Sequence, residues 1–169
     1  MKVTSCGQKN LFQLNHLRMF NCYLVREEDG WTLIDTVVSG QAQAIVREAQ
    51  AAGLPIARIV LTHAHVDHVG SLDALHEALP HVPVAISERD ARLLSGDRSM
   101  DAQEPRARLR GGYPVCRTKP TLLLHEGDRI GSLEVIATPG HTPGHLAFLD
   151  TRDRTLIAGD AFQVQGGIA

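Results

Sequence analysis

The run Ile56-Ala57-Arg58-Ile59-Val60-Leu61-Thr62-His63-Ala64-His65-Val66-Asp67-His68-Val69-Gly70 decides how this chain is read. Its first six residues are almost continuously apolar, broken only by Arg58, which marks a strand internal to a sheet. From about residue 69 to residue 79 apolar side chains return at helical spacing, and Pro80 ends the pattern. Between strand and helix lies H-x-H-x-D-H. With 9 His among 169 residues, and Asp at a similar frequency, chance supplies ~0.0016 matches, so the pattern is signal. In extended backbone, residues i and i+2 face the same side, so His63 and His65 are set to share one metal ion. Asp67 and His68 follow where the loop enters the helix and are aimed at a second ion. Imidazole and carboxylate suit borderline divalent metals such as zinc, and a donor set without thiolate suits a site that keeps a water.

Outward from this run the chain alternates strand and helix, the rhythm of an α/β protein. On the N-terminal side, residues 11–17, 21–26 and 31–35 read as strands, with 27–30 as a hairpin turn. Ser39 is the expected cap of a helix over 41–52, whose Ala42, Ile45, Val46, Ala49 and Ala52 share one face. On the C-terminal side, 82–86 reads as a strand. Ser87, with Asp90 three residues on, caps a short helix through residue 94. Strand-like runs at 122–124, 133–137, 146–149 and 155–158 complete the pattern.

Two of these strands end in further candidate ligands. Thr138-Pro139-Gly140-His141-Thr142-Pro143-Gly144-His145 sets two His in a loop whose path is fixed by Pro and Gly. His141 is the third imidazole expected for the first metal, and His145 is read as a supporting or packing residue. Gly159-Asp160 ends the last strand with a carboxylate. The glycine lets the backbone approach closely, and one oxygen to each ion makes Asp160 a bridge.

Composition narrows the alternatives. A 43% hydrophobic, 21% charged chain excludes disorder and coiled coils. A formal charge of -2 argues against a nucleic-acid partner. No apolar stretch approaches the roughly 20 residues that cross a bilayer, so no membrane partner is expected. Three Cys without paired spacing (Cys6, Cys22, Cys116) suggest neither a disulfide framework nor a thiolate zinc site, and a cytoplasmic setting is expected. Cys22 is read as core. His16, His76, His81 and His125 are read as surface or packing residues, and Tyr113 as a pocket-rim residue.

From Arg89 to Lys119 there are eight Lys or Arg against four Asp or Glu. Residues 87–119 are read either as a basic cap that draws an anionic substrate to the site, or as a solvated surface. The run Gln165-Gly166-Gly167-Ile168-Ala169 brings no closing helix, and two or three helices leave one face of so many strands uncovered. Residues 1–169 are therefore expected to form one domain that is the N-terminal portion of a longer one.

Taken together, Thr62 to His68, Pro139 to His145, Gly159-Asp160 and the early Leu33-Ile34-Asp35-Thr36 resemble the metallo-β-lactamase superfamily. The similarity is greatest to its general bacterial metallo-hydrolases near glyoxalase II and the lactonases. The resemblance implies an αββα sandwich, incomplete at the C-terminus, with two metals at the rim of its two sheets. It implies His63, His65 and His141 on the first metal, Asp67 and His68 on the second, and Asp160 bridging both. Asp35 supports the site from behind. A final family ligand, a His beyond Asp160, has no counterpart in the residues given, so the second metal has three protein ligands. The implied cofactor is Zn2+ at two sites, with Fe or Mn as alternatives. The implied activity is hydrolysis of an ester, thioester, lactone or related bond in a small molecule by a metal-bound hydroxide. Two ions about 3.5–4 Å apart make such a hydroxide available near neutral pH, and Asp67 orients it as the catalytic carboxylate. The rival expectations are a mononuclear-iron persulfide dioxygenase on the same fold, a nuclease of the superfamily, and a non-catalytic member.

Overall fold

The computed structural model describes residues 1–6, 10–104 and 108–162. The chain opens with four strands, β1 (Lys2–Cys6), β2 (Leu11–His16), β3 (Phe20–Glu27) and β4 (Gly30–Ile34). Helix α1 (Ala42–Ala51) leads to β5 (Ile56–Val60), then α2 (Val66–Val69) and α3 (Leu72–Ala78) lead to β6 (Val84–Ser87). After α4 (Glu88–Leu94) come β7 (Leu122–Leu124), β8 (Arg129–Ile130), β9 (Leu133–Ala137), β10 (Leu146–Asp150) and β11 (Leu156–Ile157).

These strands form two sheets. One runs β1-β2-β3-β4-β5-β6-β7, antiparallel through β4 and parallel from β4 to β7. The helices lie in its parallel half because parallel neighbours need crossover connections. The other is antiparallel, in the order β11-β10-β9-β8.

The two-residue period of a strand assigns the layers. Trp31 and Leu33 of β4, Ile59 of β5, and Val84 and Ile86 of β6 pack with Ile45 and Ala49 of α1, Leu72 and Leu75 of α3, and Leu93 of α4. The intervening Ile34, Val60 and Ala85 face the second sheet and pack on Leu133, Val135, Leu146 and Phe148. Strands β4, β5 and β6 are thus covered on both faces, which is why residues 56–61 read as continuously apolar. Trp31 anchors the helical side: its indole N–H donates to the Ala49 carbonyl at 3.1 Å, and Phe12 meets its ring edge-on at 5.5 Å. Among the described residues the order of layers is helix, sheet, sheet.

Several expectations need correction. Ser39 does not cap α1. Gln41 occupies that position without a side-chain cap, and its N–H donates to Ser71 Oγ at 2.9 Å while Ser71 Oγ donates to the Val38 carbonyl at 2.6 Å. No side chain caps α1; Ser71, at the start of α3, ties the residue that opens it to the Val38 carbonyl. The helix expected over 69–79 starts only at Leu72, as α3, and is preceded by the separate single turn α2. At Gly70 a Cβ would come within 2.5 Å of the Ser39 nitrogen, so the Val38–Ser39 loop crosses there. Strand β1 and the two-residue β8 were not expected. Arg106 and the closing run 165–169 lie outside the described residues. No helix among the described residues is long and apolar enough to cross a membrane.

Candidate metal centre

Four strands end at one rim of the two sheets and deliver the candidate ligands. Strand β4 ends at Asp35, β5 at Thr62–His68, β9 at the loop 138–145, and β11 at Asp160. Asp35 adopts φ +61, a left-handed conformation uncommon for a non-glycine residue, and Val37 in the same turn has φ +50. The strained turn places the Asp35 carboxylate under the histidine loop. There Asp35 Oδ1 accepts the Thr62 N–H at 2.8 Å, and Oδ2 accepts the Thr62 hydroxyl at 2.8 Å and His68 Nδ1–H at 2.7 Å.

This network fixes which face of each imidazole is free. The Thr62 hydroxyl proton is committed to Asp35, so its oxygen accepts His63 Nδ1–H at 2.9 Å, leaving a lone pair on His63 Nε2. His65 Nε2–H donates to the Arg110 carbonyl at 2.8 Å, leaving a lone pair on Nδ1. The two bare nitrogens face each other at 3.1 Å, and His141 Nε2 stands 2.9 Å from His65 Nδ1. Lone pairs directed together at this range repel unless a cation lies among them. Nitrogens tetrahedrally placed at about 2.0–2.1 Å from one zinc stand ~3.3 Å apart, so the triad fits a metal ion.

A second group forms beside the first. His68 Nε2, free because Nδ1 serves Asp35, lies 3.5 Å from Asp160 Oδ1. The other oxygen, Asp160 Oδ2, lies 3.3 Å from His141 Nε2. Asp160 therefore spans the two groups, one oxygen toward each. Potential ligand atoms of His63, His68 and Asp160 all lie within 4.8 Å of one another, as do those of His63, His65 and His141. Asp67 is drawn in less closely. Its Oδ2 is 3.7 Å from His68 Nε2, its side chain is 38% exposed, and it joins neither triad. The structure thus brings all six expected residues to one rim, five of them into tight triads.

The electrostatics follow from this packing. Burial, reinforced by the neighbouring imidazoles, pushes His63 well below the ordinary histidine range and lowers His141 as well. Burial also opposes charge on His68, but Asp35 and Asp160 outweigh it and push its pKa up to about 10. Contact with His68 holds the Asp160 carboxyl below the usual range despite its partial burial. His145 is brought down to about 4 by burial and stays neutral. Its Nδ1–H donates to Thr138 Oγ1 at 2.7 Å and its Nε2 accepts the Asp160 N–H at 3.0 Å. With both nitrogens engaged, His145 holds Asp160 through its backbone N–H. Gly159 permits this contact: a Cβ there would lie 2.7 Å from His145 Nε2.

Sequence reasoning missed the residue that ties the two ligand loops together. Asp90 was read only as part of a helix cap, and its N–H does donate to Ser87 Oγ at 3.1 Å. Its fully buried carboxylate, however, turns away from the helix. It accepts the Ala64 N–H at 3.0 Å, the Thr142 hydroxyl at 2.7 Å and the Gly144 N–H at 2.8 Å. Ala64 lies between His63 and His65, and Thr142 and Gly144 between His141 and His145. Burial raises the Asp90 pKa. The Gly at 144 was a usable signal, since a Cβ there would lie 2.6 Å from Asp90 Oδ1.

Tyr113 also departs from expectation. It is buried against His65, ring centroids 4.6 Å apart, rather than placed on a rim. The basic segment packs directly on the site: Gly111 has φ +89, and a Cβ there would come within 2.5 Å of His65 Nε2. The Val66 N–H donates to the Gly112 carbonyl at 2.9 Å.

Residues 18–168 match the model of the metallo-beta-lactamase superfamily. The chain belongs to that superfamily. Its two packed sheets with flanking helices are the superfamily's sandwich. The chain is 55% identical to the uncharacterized protein YobT of Bacillus subtilis, over 88% of this chain and 64% of that one. It is 28% identical to the hydroxyacylglutathione hydrolase GloC of Haemophilus influenzae, over 88% of this chain and 68% of GloC. Among solved structures it is similar to TTHA1623 in a di-iron-bound form. The TM-score there is 0.70 at 33% identity, covering 92% of this chain and 73% of that one. The chain thus spans less than two thirds of YobT and about two thirds of GloC.

Proposed function

We propose that this rim is the centre of a metal-dependent hydrolase acting on a small-molecule thioester, ester or lactone. In this reading His63, His65 and His141 would hold one divalent ion and His68 and Asp67 a second, with one oxygen of Asp160 toward each group. The observation that carries it is the pair of bare nitrogens of His63 and His65 facing each other at 3.1 Å, their opposite nitrogens tied to Thr62 and the Arg110 carbonyl, with His141 Nε2 drawn in at 2.9 Å. Divalent ions supply acidified water and polarise a carbonyl oxygen. Asp35 and Asp90 keep the ligand loops fixed, so little reorganisation accompanies reaction. Asp67, the most exposed of the four candidate ligands on the 62–68 loop, orients the attacking water and accepts its proton. Water's oxygen joins the acyl carbon, the bond to the leaving sulfur or oxygen breaks, and the leaving atom takes up a proton.

The hydrolase name of GloC supports a thioester as substrate, and the di-iron form of TTHA1623 supports iron beside zinc as the resident metal. A cytoplasmic setting suits the free thiols Cys6, Cys22 and Cys116. The test is to strip the protein with a chelator, reload it with zinc, iron or manganese, and assay S-acylglutathione thioesters, aryl esters and lactones. Reloading should restore turnover, and Asp67→Asn should abolish it while leaving the circular dichroism spectrum intact. Turnover that survives metal removal or Asp67→Asn refutes the reading. One iron per chain with oxygen uptake on a persulfide substrate would replace it with the dioxygenase reading.

A further inference from the structure

Beside the metal centre lies a cavity of about 690 Å³, within the range of small-molecule sites. One end is formed by His141. Pro139 and Pro143, from the same loop, and Met100 and Leu109, from the basic segment, give it apolar walls. Asp101 and Glu104 also line it, but both are already neutralised. Asp101 holds Arg92 through bonds of 2.7 and 2.9 Å, and Glu104 holds Arg89, one of its bonds being 2.9 Å. The remaining charges in the wall are Arg108 and Arg110, and no carboxylate among the described residues lies within ion-pair distance of either. The Arg110 backbone is tied to the site, since its carbonyl accepts the bond from His65 at 2.8 Å. The cavity therefore combines an apolar surface, two arginines with no carboxylate partner among the described residues, and His141 of the candidate metal centre.

We propose that this cavity selects an anionic substrate: an acyl ester or thioester whose apolar body lies against Met100, Leu109, Pro139 and Pro143. Its terminal carboxylate is received by Arg108 and Arg110 while the acyl carbon reaches the rim at His141. Planar guanidinium groups match a carboxylate in shape and charge. The inference rests on the hydrolase reading and narrows it from any small ester to one bearing a negative charge remote from the scissile bond.

The test compares monophenyl glutarate, which is anionic, with its neutral methyl ester, using metal-loaded protein. The wild type should favour the anionic ester in kcat/KM by about 10-fold, chiefly through KM, and the preference should shrink with added salt. In the double variant Arg108→Gln with Arg110→Gln the ratio should fall toward one. A wild-type ratio near one, or a ratio untouched by the double variant, overturns the proposal and leaves the hydrolase reading standing. If neither ester is cleaved, calorimetry with glutaric monoanilide, an amide that is not cleaved, decides the subsite alone. Binding that weakens about 10-fold in the double variant supports it, and binding that is absent or indifferent to the arginines overturns it.

Discussion

Replacing Asp90 with Asn exchanges one carboxylate oxygen for an NH2 group inside a cage of three donors. The native oxygens accept from Ala64 N, Thr142 Oγ1 and Gly144 N at 3.0, 2.7 and 2.8 Å, in a site closed to solvent. The best the amide can do is keep its oxygen toward Ala64 and Thr142 and turn its NH2 toward the Gly144 N–H. One buried donor then loses its acceptor and the other bonds lose their charge. An unsatisfied buried donor costs about 1–3 kcal/mol, and bonds to a charged group exceed neutral ones, so a loss of ~2–4 kcal/mol is expected. For a chain of this size that lowers Tm by roughly 5–15 °C. Because the bonds restrain both ligand loops, metal affinity should fall by about 10- to 100-fold. Asp73 supplies the control, since its carboxylate accepts Thr118 N, Thr118 Oγ1 and Arg117 N at 2.8, 2.6 and 3.0 Å, and none of these donors lies on a ligand loop. Asp73→Asn should lower Tm, by less because Asp73 is partly exposed, and leave metal affinity alone. Competition with a chromogenic chelator measures the affinity. Equal metal affinity in wild type and Asp90→Asn, or equal losses in both variants, would refute the reasoning.

Other perturbations separate the remaining elements. Gly111→Ala puts a Cβ against the His65 ring at φ +89 and should weaken metal binding while the chain stays folded, read by the same chelator competition. Phe148→Ala empties the interface between the sheets and should cost about 3–5 kcal/mol in denaturant unfolding with little change in metal affinity per folded molecule. In chelated protein, His68 has its pKa raised to about 10 by Asp35 and Asp160, so its charged form stabilises the fold. That contribution is full below about pH 6.5 and is lost as pH rises toward 10, so the Tm of the metal-free protein should decline across that window. A Tm that rises across it would contradict the His68–Asp35 pairing. Metal binding removes that proton, so affinity at the His68 site should increase with pH.

Much of this architecture was legible because burial leaves a period in the chain. Residues 56–61, which include β5, read as almost continuously apolar since both faces of that strand are covered. The H-x-H-x-D-H loop was legible because its chemistry depends on adjacent residues in one extended segment. Strand β1 escaped notice because Lys2 to Cys6 form an exposed edge with no apolar alternation, its order coming from pairing with β2. The start of α1 was misplaced because the helix opens at Gln41 without a side-chain cap, its N–H held instead by Ser71, remote in sequence. Asp90 escaped for a related reason. Its spacing from Ser87 satisfies a local helix-start pattern, while its carboxylate works across two loops that only the folded sheets bring together. Tyr113 was misread because only the fold shows that its segment lies on His65.

The account depends on a cation seated among His63, His65 and His141. An anomalous difference map from crystals of the metal-loaded protein, recorded at the absorption edge of the bound metal, tests this most directly. The expected result is a peak between His63 Nε2, His65 Nδ1 and His141 Nε2, with a second beside His68 and Asp160. A map with no peak among the three imidazoles, in protein that carries stoichiometric metal, would contradict it.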